Sequence, residues 1–333
     1  MTPPSSAART CRNSSIKQSP VTKKVEHPKQ PKRQLDGVLL FDKPLELSSN
    51  IALQKVRRLY RAEKAGHTGT LDPLATGLLP VCFGEATKFT HALLDADKRY
   101  RATVRLGQRT STGDAEGEIL EQRAVAVGAE QLSRVLAAFT GEIMQLPPMH
   151  SALKYQGKPL YEYIRQGVVI EREPRKVMIR ELRMEHRAGD ELVLDVLCSK
   201  GTYVRTLAED IGEALDCGAH LTGLRRSGIG NFSLEQAYTL TQLEAMDAAQ
   251  RDACLLPPDS LVLNLPALAL DAHQAERLAR GQRLAWQDGQ PDGPRRLYAA
   301  SGFIGLGLLA VGRLSPHRLL ARVAKAAAQP NSA

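Results

Sequence analysis

The sequence has little cysteine, and no two of its cysteines lie close together. The five (Cys11, Cys82, Cys198, Cys217 and Cys254) are odd in number, widely spaced and never arranged C-x-x-C. That argues against a disulfide framework and predicts free thiols in a reducing, cytoplasmic compartment. Cys217 and His220 could form half a zinc site, but no second pair accompanies them. A structural zinc takes four protein ligands, so no metal is expected. GDAEGEI (113–119) carries too few acids for a calcium loop and reads as a turn into a strand. No apolar run approaches the roughly 20 residues that a membrane helix needs. The opening MTPPSSAART has no apolar core, so no secretory leader is expected. No internal repeat is visible.

What is present is ordinary globular material: 333 residues, 43% hydrophobic and 24% charged, a length that suits two domains. The net charge of +9 suggests a polyanionic partner until its distribution is read. Residues 1–34 hold eight Lys/Arg against Glu26 alone, a net +7, which leaves +2 for the body. This segment is rich in Pro, Ser and Lys and poor in large apolar groups, and predicts a disordered basic tail. Any nucleic-acid surface must therefore be argued from where the body's cations sit.

Order is predicted from residue 35. GVLLFDKP (37–44) reads as an apolar strand stopped by Pro44. Ser48 or Ser49 can cap a helix whose Ala52, Val56, Leu59 and Tyr60 share one stripe, with Lys55, Arg57, Arg58 and Arg61 elsewhere around it. KRYRATVRL (98–106) alternates. Tyr100, Ala102, Val104 and Leu106 face one way, and Arg99, Arg101, Thr103 and Arg105 form a wet, basic face. Leu132, Val135, Leu136 and Phe139 mark a helix ending at Gly141. Residues 147–176 interleave His150, Lys154, Tyr155, Lys158, Tyr161, Tyr163 and Arg165, and read as a projecting loop with a short helix. Those rings either stack on nucleic-acid bases or pack on the body. CSKGTYVRT (198–206) turns a strand into an amphipathic helix. The pattern breaks at LLPPDS (255–260), and short apolar runs separated by glycine predict a small β-rich domain over 259–333.

The stretch GHTGTLDPLATGLLP (66–80) holds a single acid, Asp72, in a window otherwise free of Asp and Glu from Glu63 to Glu85. Asp followed by Pro is a good helix start, the side chain capping free N–H groups with Leu74, Leu78 and Leu79 packed inward. The alternative is a chemically active carboxylate, which needs a cationic partner if it is to be buried. Arg205 is the candidate. It falls in the first turn of its helix, where a cation opposes the helix dipole by about 0.3–1 kcal/mol unless an anion faces it. A solvent-facing arginine remains the plain reading of the same position.

Together GVLLFDKP, GHTGTLDPLATGLLP, KRYRATVRLGQRT, SALKYQGKPLYEYIRQG and CSKGTYVRT closely resemble the bacterial TruB-type tRNA pseudouridine-55 synthases, in the family's order over roughly residues 35–260. The stretch GFIGLGLLAVGRLSPHRLLA resembles, more loosely, the family's PUA-like RNA-binding domain, and residues 1–34 match nothing in it. The resemblance implies an α+β fold: a mixed, largely antiparallel sheet with flanking helices over 35–258, then the PUA-like domain. It implies an isomerase that detaches uracil from its ribose, turns it and rejoins it through carbon, without a cofactor. Asp72 then matches the nucleophile, toward either the sugar or the base. Tyr100 matches the tyrosine stacked on the flipped uracil, and Arg205 the arginine paired with the carboxylate. His67, Tyr203 and the Leu224 backbone match substrate contacts, and Lys43 and Pro44 a pair packed near the site. Segment 147–176 would grip the T-arm of tRNA, with no protein partner required. Thr70 departs from the small apolar residue that many relatives carry. Two rivals remain in view: a non-catalytic RNA-binding or tRNA-folding protein, and a guide-RNA-dependent enzyme of ribosomal RNA. Asp72, Tyr100 and Arg205 together disfavour the first, and SALKYQGKPLYEYIRQG disfavours the second.

Overall fold

GVLLFDK and ATGLLPVCF have no polar face to turn to water, and both become strands inside one large sheet. The structure, a computed structural model, describes residues 31–321 except 287, 288 and 290. In chain order it begins with strand β1 (Gly37–Lys43), helix α1 (Ser49–Leu59), β2 (Ala65–His67), β3 (Ala75–Phe83), helix α2 (His91–Leu94) and β4 (Lys98–Leu106). Next come β5 (Gln108–Thr110), β6 (Ile119–Gln122), helix α3 (Ala129–Ala138) and β7 (Gly141–Gln145). A small hairpin of β8 (Lys154–Tyr155) and β9 (Lys158–Pro159) leads into helix α4 (Leu160–Ile164). Then follow β10 (Arg175–Ala188), β11 (Glu191–Cys198), helix α5 (Val204–Ala214), β12 (Ala219–Ile229), β13 (Phe232–Ser233) and β14 (Tyr238–Thr239).

The large sheet runs β14-β1-β3-β12-β4-β11-β10-β7, with β2 on β3 and β13 on β12. Only β1/β14 and β3/β12 are parallel, so the sheet is mixed and largely antiparallel as expected. Its register sets the centre of the molecule. Leu224 on β12 lies opposite Ala75 on one side and Ala102 on the other, and Arg226 lies opposite Gly77 and Tyr100. Gly77 has to be glycine: its φ is +101°, and a Cβ there would stand 2.4 Å from the Arg226 carbonyl oxygen. Helices α3 and α5 bury Leu132, Leu136, Leu207 and Ile211 against β4, β10, β11 and β12. Helix α1 buries Ala52, Leu53 and Val56 against β1 and β3. Tyr100 and Leu224 are half-buried at the seam of these two cores.

A second, five-stranded sheet follows in the order β15 (Ala267–Ala269), β17 (Gly293–Ala299), β18 (Gly302–Ala310), β19 (Arg313–Leu319) and β16 (Leu284–Ala285). It has its own core around Leu278, Leu297, Ile304 and Leu314. It also shares one with the large sheet, where Leu261, Val262, Phe303, Leu306 and Leu320 pack with Leu78, Phe89 and Ile229. The Phe303 and Phe89 rings meet edge-on at 5.4 Å.

Two expectations change. Asp72 and Pro73 start no helix: residues 71–74 are an irregular bend, closed by Ala75 N–H donating to the Asp72 carbonyl at 3.1 Å, and the chain continues as β3. The apolar run here serves a strand buried on both faces, with Leu78 and Leu79 both fully buried on alternate sides. Periodicity alone cannot distinguish such a strand from a buried helix. The expected tail also ends earlier than residue 34. Arg33 N–H donates to the Arg61 carbonyl at 2.7 Å and its guanidinium pairs with Asp252. The rest of the tail, residues 1–30, lies outside the described residues.

Candidate active site

A cleft of about 270 Å³ opens where β3, β4, β12 and the start of α5 converge. Asp72, Tyr100, Tyr203, Leu224 and Arg205, five of the residues singled out in the sequence, line it together. His67 and Lys43 are not among its lining residues. His67 sits on β2 with Nδ1 buried and without a hydrogen-bond partner. Burial, and secondarily Arg226, lowers its pKa, which favours a neutral imidazole. Lys43 is fully buried at the end of β1, its Nζ donating to the carbonyls of Pro44 at 2.9 Å and Leu47 at 2.6 Å. Burial holds it down to about 8, with Asp72 pulling the other way.

Arg205 does not face solvent. Its side chain is 7% exposed, and Nη2 stands 2.9 Å from Oδ2 of Asp72, whose own side chain is 43% exposed toward the cleft. The helix-dipole conflict is resolved by this carboxylate and by a second one, Asp114, whose Oδ2 lies 3.5 Å from Arg205 Nε. Arg205 also donates from Nη1 to the Thr112 carbonyl at 3.0 Å and from Nη2 to the His150 carbonyl at 2.7 Å. Its fork therefore gathers three separate chain segments around the Asp72 carboxylate. The loop bearing that carboxylate is clamped from α1. Ser48 takes the capping role, accepting from Ile51 N–H. That frees Ser49 Oγ to donate to the Leu71 carbonyl at 2.9 Å and accept from Leu71 N–H at 2.8 Å.

Tyr203 caps α5 from the backbone, its N–H and carbonyl both held by the Gln145 side chain at 2.8 and 3.0 Å. Leu224 has its backbone in the ladder between β3 and β4. Three functional candidates escaped the sequence reading. Asp114 read as a turn acid, yet it is buried and accepts from Thr112 Oγ1 and from Glu116 N–H at 3.1 Å. Arg226 is 1% exposed, lines the cleft, and donates from Nε to the Leu78 carbonyl at 2.7 Å and from Nη2 to the Gly69 carbonyl at 3.1 Å. Lys98 also lines the cleft, buried at the start of β4. The signal for both was alternation: Lys98 shares a strand face with Tyr100, and Arg226 shares one with Leu224.

The basic face of β4 is largely neutralised from its neighbours. Arg99 pairs with Asp195 and Glu181, Arg101 with Glu185, and Arg105 with Asp190 at 3.6 Å. The tyrosines of segment 147–176, by contrast, do not pack on the body. Tyr155 is 44% exposed and meets Tyr163 edge-on at 6.0 Å, while Lys158 lies 4.8 Å over the Tyr163 ring and Arg165 lies 5.4 Å from that of Tyr161. Leu160 anchors the segment instead. The four described cysteines are free, and burial pushes the Cys82 and Cys198 thiols up to about 12 and about 11, so neither offers a thiolate nucleophile. No helix among the described residues is long and apolar enough to cross a membrane.

Residues 57–204 match the N-terminal domain of the TruB family of pseudouridylate synthases, residues 205–263 the tRNA pseudouridylate synthase B C-terminal domain, and 266–320 the pseudouridine synthase II TruB C-terminal domain. The tRNA pseudouridine synthase B of Chromobacterium violaceum is 55% identical over 303 residues, covering 90% of this chain and 99% of that one. That of Burkholderia mallei is 55% identical over 300 residues, covering 88% and 96%. Among solved structures, a chain from a Cbf5–Nop10–Gar1 complex superposes with a TM-score of 0.63 at 26% identity, covering 82% of this chain and 78% of that one. A mixed sheet with a trailing β-rich domain, and in its central cleft a buried arginine paired with a carboxylate open to the cleft, defines the protein's α+β class. The chain belongs to the TruB family of pseudouridylate synthases.

Proposed function

We infer that this chain is a tRNA pseudouridine synthase that isomerises uridine 55 of the T loop, with Asp72 as the nucleophile. The observation that carries the reading is the Asp72–Arg205 pair: a carboxylate open to the cleft, held by a guanidinium that is itself buried. An attacking group must reach substrate while keeping one orientation, and this division of exposure provides both. The target uridine must leave its stack, at a cost of a few kcal/mol, before it can enter a cleft of this size. There it stacks on Tyr100. Asp72 supplies the carboxylate as the N1–C1′ bond breaks, the ring turns, and the C5–C1′ bond forms; the C5 proton is lost and N1 gains one. Atoms balance without a metal, an oxidant or a cofactor.

Arg205 orients Asp72, with Asp114 behind it. Tyr203 and Leu224 bound the base, His67 contacts the RNA beside the vacated position, and Lys43 with Pro44 braces the loop from below. Segment 147–176, with its exposed rings and cations, grips the T-arm by stacking and phosphate contacts. Residues 35–258 form the catalytic domain and 259–333 a PUA-like RNA-binding domain, acting as a cytoplasmic monomer. The guide-dependent alternative is disfavoured by the gap between 26% identity to the Cbf5 chain and 55% to the tRNA enzymes.

Asp72→Asn tests the reading, since the amide keeps size and hydrogen bonding but loses charge. On an unmodified tRNA transcript, single-turnover pseudouridine formation should fall below detection while filter binding stays within about twofold, because affinity is spread over many phosphate contacts. A variant retaining a tenth of the parent rate would remove Asp72 from the chemistry.

A further inference from the structure

Two buried cations flank Tyr100 without a carboxylate partner. Lys98 stands two residues before it on the same face of β4, about 7 Å along the strand. Arg226 lies directly across from Tyr100 in the β4/β12 register. Both line the cleft, and they are 8% and 1% exposed. Among the described residues no carboxylate comes within ion-pair distance of either. Their contacts are to carbonyls: Lys98 Nζ donates to Leu94 at 2.7 Å and Ala96 at 2.6 Å, and Arg226 to Leu78 and Gly69. An ammonium has three donors, so one N–H of Lys98 is left over. Tyr100 thus lies between the two cations, Lys98 along its own strand and Arg226 across the register.

Burying positive charge without a counter-ion is costly, and two such charges side by side more so. The arrangement becomes favourable only when something negative enters the cleft. Asp72 is already paired with Arg205 on the other side. The reaction itself supplies an anion. When the glycosidic bond breaks, its electron pair stays with the uracil ring and spreads over N1 and the two carbonyl oxygens.

We propose that Lys98, with Arg226 beside it, is the electropositive seat of the detached uracil. The third N–H of Lys98 bonds a ring carbonyl, and the two charges stabilise the ring anion until C5 attacks C1′ and the proton balance is restored. This rests on the uridine reading of the cleft given above. It makes Lys98 and Arg226 catalytic groups, acting as preorganised donors do where charge develops. Neither bonding pattern is that of a phosphate clamp on the rim, since both side chains rise from the floor strands beside the stacking ring.

The test reads the charge of Lys98. Its pKa is lowered to about 8, chiefly by burial and then by Arg226, with Cys198, Asp95 and Asp97 acting in the opposite sense. Lys98 is therefore mostly charged below pH 8 and mostly neutral above it, so the parent single-turnover rate should fall about tenfold between pH 7 and 9. Lys98→Met should be about 100-fold slower at pH 7, with no break near pH 8 and tRNA binding within about twofold. Lys98→Arg should lose the break, because arginine does not titrate in this range. A purely structural lysine, tying β4 to the end of α2, would lower the melting temperature of the methionine variant without moving any pH profile. A parent profile flat from pH 7 to 9 overturns the proposal even if no variant folds. So does a break that survives in Lys98→Arg, which would belong to another group such as Lys43. Asp72→Asn run alongside separates the two claims: if it is inactive while Lys98→Met is at parental rate, the nucleophile stands and the uracil seat falls.

Discussion

Replacing Arg205 by lysine keeps the charge and removes the fork. In the structure the fork reaches four acceptors on three segments: Asp72 Oδ2, Asp114 Oδ2 and the Thr112 carbonyl beside it, and the carbonyl of His150. A lysine presents its donors from a single atom and cannot span these positions. At least two buried acceptors would be left unpaired, each costing about 1–3 kcal/mol, or about 2–6 kcal/mol together. Against a total stability of about 5–15 kcal/mol the protein should still fold, with a clearly lowered urea midpoint. Activity should suffer more. With Asp72 no longer tethered at 2.9 Å, a displacement of about 1 Å is enough for a loss of about 100-fold in the chemical step. The assay is single-turnover pseudouridine formation at saturating enzyme beside a denaturation curve. An Arg205→Lys variant within threefold of the parent rate and with an unchanged midpoint would refute the argument that the fork, rather than the charge, positions the carboxylate.

The shared core between the two sheets predicts cooperative behaviour. Phe303→Ala, which removes the ring packed between Phe89 and Tyr298, should cost about 3–5 kcal/mol and lower a single unfolding transition; two separate transitions in the parent would contradict it. For the same reason, cutting the chain at residue 258 should destabilise the catalytic domain as well as weaken RNA binding, readable as lost solubility or a lower melting temperature. The +7 of residues 1–34 should act by counterion release, so deleting the segment should weaken tRNA binding at low salt and matter little at high salt; an equal loss at both would point to specific contacts.

The local chemistry was legible in the sequence. Alternation in KRYRATVRL placed Tyr100 on the inward face, the Ser48/Ser49 pair announced α1, and the first-turn position of Arg205 called for an anion. Which anion could not be read, because Asp72 and Asp114 are 133 and 91 residues away in the chain and meet Arg205 only through the sheet. Asp72–Pro73 misled for a related reason. A helix cap and a bend before a two-sided buried strand share the same residues, and only packing on both faces of β3 decides between them. Lys98 and Arg226 were passed over because a cation on a strand is by default a solvated one. Their meaning comes from register, which sets Arg226 across from Tyr100 and leaves Lys98 beside it, away from water and beyond ion-pair distance of any carboxylate among the described residues. Short-range periodicity determines which way a side chain points. What it finds there is a long-range pairing, and that belongs to the tertiary structure alone.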